Sequence, residues 1–217
     1  MLKVHLGSKQ QPLQSILCLG AHCDDIEIGC GGTILKLVQE NPDIEIHWIV
    51  FSSNSKRKKE AAVAAKLFLK GARKSFTEIK TFKDGFFPYN GASVKKYFET
   101  LKKKITPDLV FTHFRHDLHQ DHRVISDLTW NTFRGHFILE YEIPKYDGDL
   151  GSPNFYVGVD DKLFEKKTKF ILESFQSQCK KHWFTEDTFY GLARVRGVEA
   201  NSPERHAEAF YCRKFLY

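Results

Sequence analysis

Short apolar segments alternate with amphipathic segments through the first half of the chain. Residues 15–21 form an apolar run that ends beside a glycine, which predicts a buried strand. The segments after it predict, in order, a helix over 31–40, a strand over 44–51, a helix over 55–70, a strand over 77–82, a helix over 93–105 and a strand over 108–113. Regular alternation of strands and helices is typical of a parallel sheet covered by helices on both faces.

The second half of the chain is less regular. Strands are predicted over 137–143 and 155–159, separated by a Gly-, Asp- and Pro-rich loop over 144–153. A helix is predicted over 161–174, and further helical stretches around 188–195 and 203–210. We therefore predict an α/β fold, a Rossmann-like three-layer sandwich with a mostly parallel central sheet. The length of 217 residues and the absence of repeats or linkers predict a single domain over residues 1–217.

Candidate chemistry follows the first predicted strand directly. The segment AHCDDIE at residues 21–27 contains His22, Asp24 and Asp25 at the carboxyl end of that strand, where α/β folds bind ligands. Buried histidine and carboxylate groups need partners, and zinc accepts both as ligands. The alternative is an acidic turn that favours the start of the next helix. This segment alone leaves both interpretations open.

A glycine-rich segment, GCGG at residues 29–32, follows the acidic motif. The dinucleotide-binding pattern G-x-G-x-x-G is absent, and the neighbouring acids would repel a pyrophosphate. We therefore expect these glycines to allow close backbone packing beneath the site, not to bind a nucleotide cofactor.

A second polar segment follows the fourth predicted strand. The sequence HFRHDLHQDH at residues 113–122 contains four histidines and two aspartates. His119 and His122 are three residues apart and would share a face at the start of a helix, where Asp121 could orient a neighbouring imidazole. The alternative is a histidine-rich surface loop. A histidine and an aspartate from the first segment, with one histidine from the second, would leave an open metal position, as in catalytic zinc sites.

Both segments resemble motifs of the PIG-L/LmbE-like family of zinc-dependent N-deacetylases. The family motif AHPDD-x-E matches residues 21–27, and H-x-D-H matches residues 119–122. Residues 57–62, RKKEAA, are similar to the family's R-x-x-E-A helix. Arg196-Gly197 and the segment AEAF at 207–210 are similar to its R-G…A-E-A-F ending, so the resemblance spans nearly the whole chain.

The resemblance implies a role for each matching residue. It implies one zinc ion per chain, Asp24 as the general base, and His119 as the group that stabilises or protonates the tetrahedral intermediate, with Asp121 behind it. It implies that Arg57 contacts the substrate. The zinc ligands implied are His22, Asp25 and His122. The resemblance is also compatible with a homo-oligomer.

Cys23 stands where the family has proline. Proline would stiffen this turn, whereas cysteine leaves the backbone freer and adds a soft ligand atom. Because side chains of adjacent residues diverge, we do not expect Cys23 to bind the zinc beside His22.

Charge and composition limit the partners. The net charge is +6 and the pI about 9.0, which favours acidic ligands such as phosphorylated or nucleotide-linked compounds. No nucleic-acid-binding motif is present. The first fifteen residues lack an apolar signal-like region, and no apolar run approaches the roughly 20 residues that cross a bilayer. The five cysteines are scattered, which predicts reduced thiols and a cytoplasmic protein.

The sequence thus predicts a zinc-dependent hydrolase that removes an N-acetyl group from an amino-sugar derivative. Three alternatives remain: another amidase, for example one acting on a thiol-sugar conjugate; a non-catalytic sugar- or nucleotide-binding protein; and a phosphoesterase, which more often needs two metals. The sequence leaves the substrate open among nucleotide-, lipid- and glycan-linked sugars.

Overall fold

Seven strands and six helices follow one another in the computed structural model, which describes residues 5–7 and 12–216. The strands of these residues are β1 (Ser15–Gly20), β2 (Glu45–Ser52), β3 (Lys74–Phe82), β4 (Leu109–His113), β5 (Phe137–Tyr141), β6 (Phe155–Val159) and β7 (His206–Cys212). The helices are α1 (Asp25–Glu40), α2 (Ser55–Phe68), α3 (Gly91–Lys104), α4 (Gln120–Phe133), α5 (Asp161–Ser174) and α6 (Glu186–Glu199), with a short 3-10 helix at Pro88–Asn90.

The strands form one sheet in the order β3-β2-β1-β4-β5-β7-β6. The first five strands pair in parallel, and β7 runs antiparallel between β5 and β6. This confirms the predicted α/β fold with a mostly parallel sheet. The parallel part places the loops after β1 to β5 along one edge, so that the polar segments after β1 and β4 meet there.

Helices cover both faces of the sheet and enclose two apolar cores. One core contains Phe68 of α2 and Phe164 of α5, packed with side chains of α1 and α6. The other contains Phe98 of α3 and Ile125 of α4. Because parallel strands buried on both faces are apolar throughout, the continuous apolar runs were a reliable signal for β1, β2 and β4.

Helix α1 begins at Asp25, six residues before the predicted start, and continues through the glycine-rich segment. It bends at Cys30, whose φ of −143° is not helical. A Cβ at Gly29 would lie 2.2 Å from the ring of Tyr141, and one at Gly31 would lie 2.6 Å from Phe68. The predicted close packing beneath the site is therefore confirmed.

The predicted helix over 203–210 is wrong, because β7 occupies this region. Alanine and glutamate favour helices in isolation, but tertiary packing overrides such propensities. Ala207, Glu208 and Ala209 are all buried, because β7 lies inside the sheet between β5 and β6 and contacts α1 and α6.

The sequence also leads to expectations about the cysteines, membrane-spanning helices and the number of domains. All five cysteines are unpaired. No helix of the described chain is long and apolar enough to cross a membrane. The single domain over 1–217 stays a prediction, and residues 1–4, 8–11 and 217 lie outside the described residues.

Candidate active site

Loops from the carboxyl edge of the sheet and the segment after α5 surround a cleft of about 700 Å³. Its floor contains the predicted site residues His22, Asp24, Asp25, His119 and His122. Its walls are formed by residues of four segments: Ser52, Ser53, Asn54, Lys56 and Arg57; Thr81, Phe82, Lys83 and Asp84; Ile143, Lys145, Tyr146 and Asp147; and Ser177, Gln178, Lys181 and Trp183. The structure thus brings the two polar sequence segments into one concave site.

The three predicted ligands lie in a tight triangle. The Nδ1 atom of His22 is 3.1 Å from Nε2 of His122 and 3.4 Å from Oδ2 of Asp25. Nε2 of His122 is 3.5 Å from Oδ1 of Asp25. Ligand atoms of a tetrahedral zinc ion with bonds of roughly 2.0–2.2 Å are about 3.3–3.6 Å apart. The distances from the two histidine nitrogens to the Asp25 carboxylate, one to each oxygen, lie in this range, and the distance between the two nitrogens is slightly shorter, so a metal ion of this kind fits with a small adjustment.

Three other groups of potential ligands share residues with this set. In the group of His22, Asp84 and Asp121, the Asp121 carboxylate already accepts from two backbone N–H groups, and in each of the other two groups one ring nitrogen of the additional histidine has a backbone partner. Nε2 of His113 accepts a hydrogen bond of 2.9 Å from the backbone N–H of Ala21. Nδ1 of His119 accepts one of 3.2 Å from the backbone N–H of Asp121. The triangle of His22, Asp25 and His122 is consequently the set we favour.

Carboxylates surround His22. Its Nε2 atom is 3.3 Å from Oδ2 of Asp121 and 3.1 Å from Oδ1 of Asp84. Burial lowers the pKa of His22, but Asp25 and the other carboxylates raise it more, so that the pKa lies well above its usual value. Surroundings that stabilise a protonated imidazole also stabilise a metal cation that replaces the proton.

The carboxylate of Asp121 is placed differently from the expectation. It is fully buried and accepts hydrogen bonds from the backbone N–H groups of Gly85 (2.7 Å) and Phe87 (3.1 Å). It lies behind His22, whereas the resemblance placed it behind His119. Asp121 thus links His22 to the loop that follows β3.

Asp117 was not singled out from the sequence, although it lies within the histidine-rich segment. Its Oδ2 is 2.9 Å from Nδ1 of His122, on the side of the ring opposite the triangle, and its Oδ1 accepts from the backbone N–H of His119 at 2.7 Å. Burial and the neighbouring His113 lower the pKa of His122 to about 3, so the ring is neutral, as a metal ligand must be. Such a carboxylate fixes the tautomer and orientation of a ligating histidine.

We expect Asp117→Asn to weaken metal binding by about 10- to 100-fold, the usual effect of losing a carboxylate behind a ligating histidine. Competition with a chelator of known affinity measures this directly. Asp127→Asn, at an exposed position on the neighbouring helix α4, is the matched control and should bind the metal like wild type. Equal metal affinity in the two variants would contradict this role of Asp117.

Asp24 and Arg57 form an ion pair in the cleft. Nη2 of Arg57 is 2.8 Å from Oδ1 of Asp24. Asn54 caps α2 by accepting from the backbone N–H groups of Lys56 and Arg57, which places Arg57 in the first turn of the helix beside the floor. Burial raises the pKa of Asp24 above its usual value, and the charge of Arg57 opposes part of this increase.

Cys23 is directed to the backbone and not to the triangle. Its thiol donates to the carbonyl of Ser52 over 3.2 Å, and burial raises its pKa to about 12. The last residue of the first motif, Glu27, is fully buried, and its carboxyl oxygens have no hydrogen-bond partner in the described chain. Burial raises the pKa of Glu27 well above its usual value.

The C-terminal segment that resembles the family ending, residues 207–210, supports the floor of the cleft from below. Glu208 accepts from the backbone N–H groups of Gly32 (2.8 Å) and Thr33 (2.6 Å), directly after the bend in α1. Nζ of Lys167 bridges Glu208 (2.6 Å) and the carbonyl of Ile28 (2.7 Å). Glu208 therefore acts as the cap of the second part of α1.

A match to a model of a protein family shows to which family the chain belongs. The family model described as "PIG-L: GlcNAc-PI de-N-acetylase" matches residues 17–133, more than half of the chain. The chain belongs to the PIG-L family. The matched region contains His22, Asp24, Asp25, His119 and His122.

Solved structures share this PIG-L fold at low sequence identity. The conserved protein TT1542 from Thermus thermophilus is 20% identical with a TM-score of 0.75, over 94% of this chain and 97% of that one. The N,N'-diacetylchitobiose deacetylase from Pyrococcus horikoshii is 23% identical with a TM-score of 0.69, over 92% and 84%. GalB, a 4-carboxy-2-hydroxymuconate hydratase from Pseudomonas putida, is 15% identical with a TM-score of 0.75, over 94% and 98%. Because a hydratase has the same fold, the fold alone does not determine the reaction.

Proposed function

We propose that this PIG-L protein is a zinc-dependent hydrolase that removes the N-acetyl group from an amino-sugar derivative. The observation that carries the proposal is the triangle of His22, Asp25 and His122, with the carboxylate of Asp24 and the ring of His119 in the same cleft. The family, and the deacetylase activity of the Pyrococcus horikoshii relative, support this reaction.

His22, Asp25 and His122 would hold the metal. When bound, zinc supplies Lewis-acid chemistry: it polarises the amide carbonyl and makes water acidic enough to be deprotonated near neutral pH. Asp117 keeps His122 in orientation, and Asp121 does the same for His22.

Asp24 would act as the general base and then as the acid. Its carboxylate takes a proton from the attacking water and returns it to the leaving amine, which restores the carboxylate. A carboxyl whose pKa is raised by burial is a stronger base than an exposed one, which favours the first transfer. Arg57 holds Oδ1 of Asp24 in place and forms part of the cleft wall that faces the substrate.

His119 would stabilise the oxyanion as a neutral hydrogen-bond donor. Its Nδ1 accepts from the backbone of Asp121, which assigns the ring proton to Nε2. Burial lowers the pKa of His119, so the ring is neutral at neutral pH. A pre-oriented donor of this kind stabilises charge that develops on the carbonyl oxygen.

The metal content of the purified protein tests the proposal first. After dialysis against metal-free buffer, we expect about one zinc per chain in wild type, as for a single catalytic site, and none in His122→Ala. His116→Ala, at an exposed histidine of the same segment, is the control that should keep its zinc. A wild-type protein that binds no zinc, even when Zn²⁺ is offered, would refute the proposed site.

Acetate release from N-acetylated sugars then separates the alternative functions. Turnover of a thiol-sugar conjugate alone would favour the second amidase function. Binding of sugars without acetate release, with zinc present, would favour a non-catalytic binding protein. Two metal ions per chain would favour a phosphoesterase.

A further inference from the structure

The cleft contains a second group of side chains apart from the metal centre. Tyr146, Lys181 and Trp183 line its wall, and among the described residues no hydrogen bond, ion pair or ring contact joins them to the three predicted ligands or to Asp24. The ring centroids of Tyr146 and Trp183 are 6.5 Å apart, at an interplanar angle of 86°. A cleft of about 700 Å³ lies in the range that encloses a drug-sized ligand, so it has room for more than one acetamido sugar.

Tyr146 is held at this place although it is 64% exposed. Its neighbour Lys145 is nearly buried and reaches Oδ2 of Asp117 (3.0 Å) and Oδ1 of Asp149 (2.7 Å). Asp149 in turn accepts from the backbone N–H of Leu118 at 2.7 Å. The loop that presents Tyr146 is therefore tied by charged contacts to the segment that carries His119 and His122. Of the exposed large hydrophobic side chains in the described residues, Tyr146 is the one that lines the cleft.

The segment that presents Trp183 is also anchored. Glu60 of α2 accepts from the backbone N–H (2.9 Å) and the hydroxyl (2.6 Å) of Ser177. After Trp183, the side chain of Phe184 is 2% exposed and belongs to the core. Both aromatic rings thus stand on loops whose neighbouring residues are fixed, which is the arrangement of a built surface and not of a frayed loop.

Lys181 supplies a charge without a counterion. Its Nζ lies 5.6 Å from the ring centroid of Trp183, and no described carboxylate pairs with it. Among the other cations that line the cleft, Arg57 is paired with Asp24 and Lys145 with Asp149, whereas Lys56 and Lys83, like Lys181, have no carboxylate partner among the described residues. An unpaired lysine beside the ring of Trp183 matches a ligand that carries an anion next to a ring.

We propose that Tyr146, Lys181 and Trp183 form an aglycone subsite, which binds a ring-bearing anionic group linked to the acetylated sugar. The inference rests on the proposed function, since the metal centre would hold the acetamido sugar itself. The ring stacks on the aromatic pair, and the anion lies beside Lys181. A nucleoside diphosphate has both features, and a charged aryl glycoside would have the same chemistry.

Binding titrations with four probes test the subsite in the zinc-loaded Asp24→Asn protein, in which the probes are not consumed. In uridine diphosphate N-acetylglucosamine, the group linked to the sugar carries both a planar ring and negative charge. In p-nitrophenyl N-acetylglucosaminide it carries the planar ring alone, and in N-acetylglucosamine 1-phosphate the charge alone. Free N-acetylglucosamine has neither. We expect Trp183→Ala and Tyr146→Ala to weaken the binding of the two probes with a planar ring about tenfold or more, as is usual when an aromatic stack is lost. Lys181→Gln should weaken the two phosphorylated probes about threefold, and salt should remove this difference. Free N-acetylglucosamine should bind equally to all variants.

Two matched variants control for general damage. Tyr89→Ala removes an exposed aromatic ring outside the cleft. Lys180→Gln removes a lysine that is adjacent to Lys181 in sequence but does not line the cleft. Equal binding of all probes by wild type and the subsite variants would overturn the inference, and so would an equal loss for free N-acetylglucosamine and the conjugates. If the expected binding pattern is found but the wild-type enzyme releases no acetate, the subsite is retained and the proposed deacetylase activity is refuted.

Discussion

Asp24→Asn is expected to retain its zinc and to lose turnover by about 10²- to 10⁴-fold, the usual contribution of an acid–base group. Asparagine has nearly the same shape and can still accept the hydrogen bond that Arg57 gives to Oδ1. Its amide cannot take the proton from water or return it to the leaving amine. The proposed ligands His22, Asp25 and His122 are unchanged, so the metal content should not fall.

Acetate release and metal content, measured on the same preparation, check this result. Asp147→Asn is the matched control, because Asp147 is an exposed aspartate that lines the same cleft. It should keep nearly full activity. Undiminished turnover in Asp24→Asn would remove Asp24 from the mechanism, and a loss of zinc in that variant would make it a ligand instead.

Glu208→Ala is expected to lower the free energy of unfolding by about 3–5 kcal/mol, the usual cost of removing one partner of a buried ion pair. The side chains of Glu208 and Lys167 are only 4% and 5% exposed, so the change leaves a buried ammonium group without its partner. The backbone N–H groups of Gly32 and Thr33 lose their acceptor at the same time. Each unsatisfied buried donor adds to the cost.

Denaturant unfolding followed by circular dichroism measures this difference. Glu173→Ala removes the acidic partner of an exposed pair on α5, in which Lys169 lies 3.9 Å away, and should change stability by less than about 0.5 kcal/mol. The double variant Glu208→Leu with Lys167→Met should recover part of the loss, because no lone charge remains buried. A cost below about 1 kcal/mol for Glu208→Ala would show that Glu208 does not cap α1 in solution.

Local pattern was sufficient for the parallel strands of the fold. The apolar runs at β1, β2 and β4 have no competing interpretation, since buried parallel strands consist of such runs. Helix α4 (Gln120–Phe133) was not predicted beyond its first residues, because its β-branched residues, such as Val124, Ile125 and Thr129, have low helix propensity and only packing against the sheet overrides it. Strand β7 was misassigned because it pairs with β5 and β6 and is covered by α1 and α6, which no local window contains.

In the candidate site, too, some residues could be predicted from the sequence and others could not. His22, Asp24, Asp25, His119 and His122 were found from the types of residue and their spacing, and all of them line one cleft. Asp121 was also predicted to orient an imidazole, but Asp117 was not singled out, and the pairing of Asp121 with His22 and of Asp117 with His122 depends on the path of the loops. A carboxylate can orient any nearby imidazole, and only the three-dimensional arrangement selects which one.

The cap on α1 also bears on the order in which the molecule can fold. Glu208 and Gly32 are 176 residues apart, so the helix that begins at Asp25 is completed by a strand that is synthesised much later. Contacts of such sequence separation are slow to form because a long loop must close first. The N-terminal motif is therefore synthesised early, but its helix reaches its final geometry only when the antiparallel strand at the other end of the chain has joined the sheet.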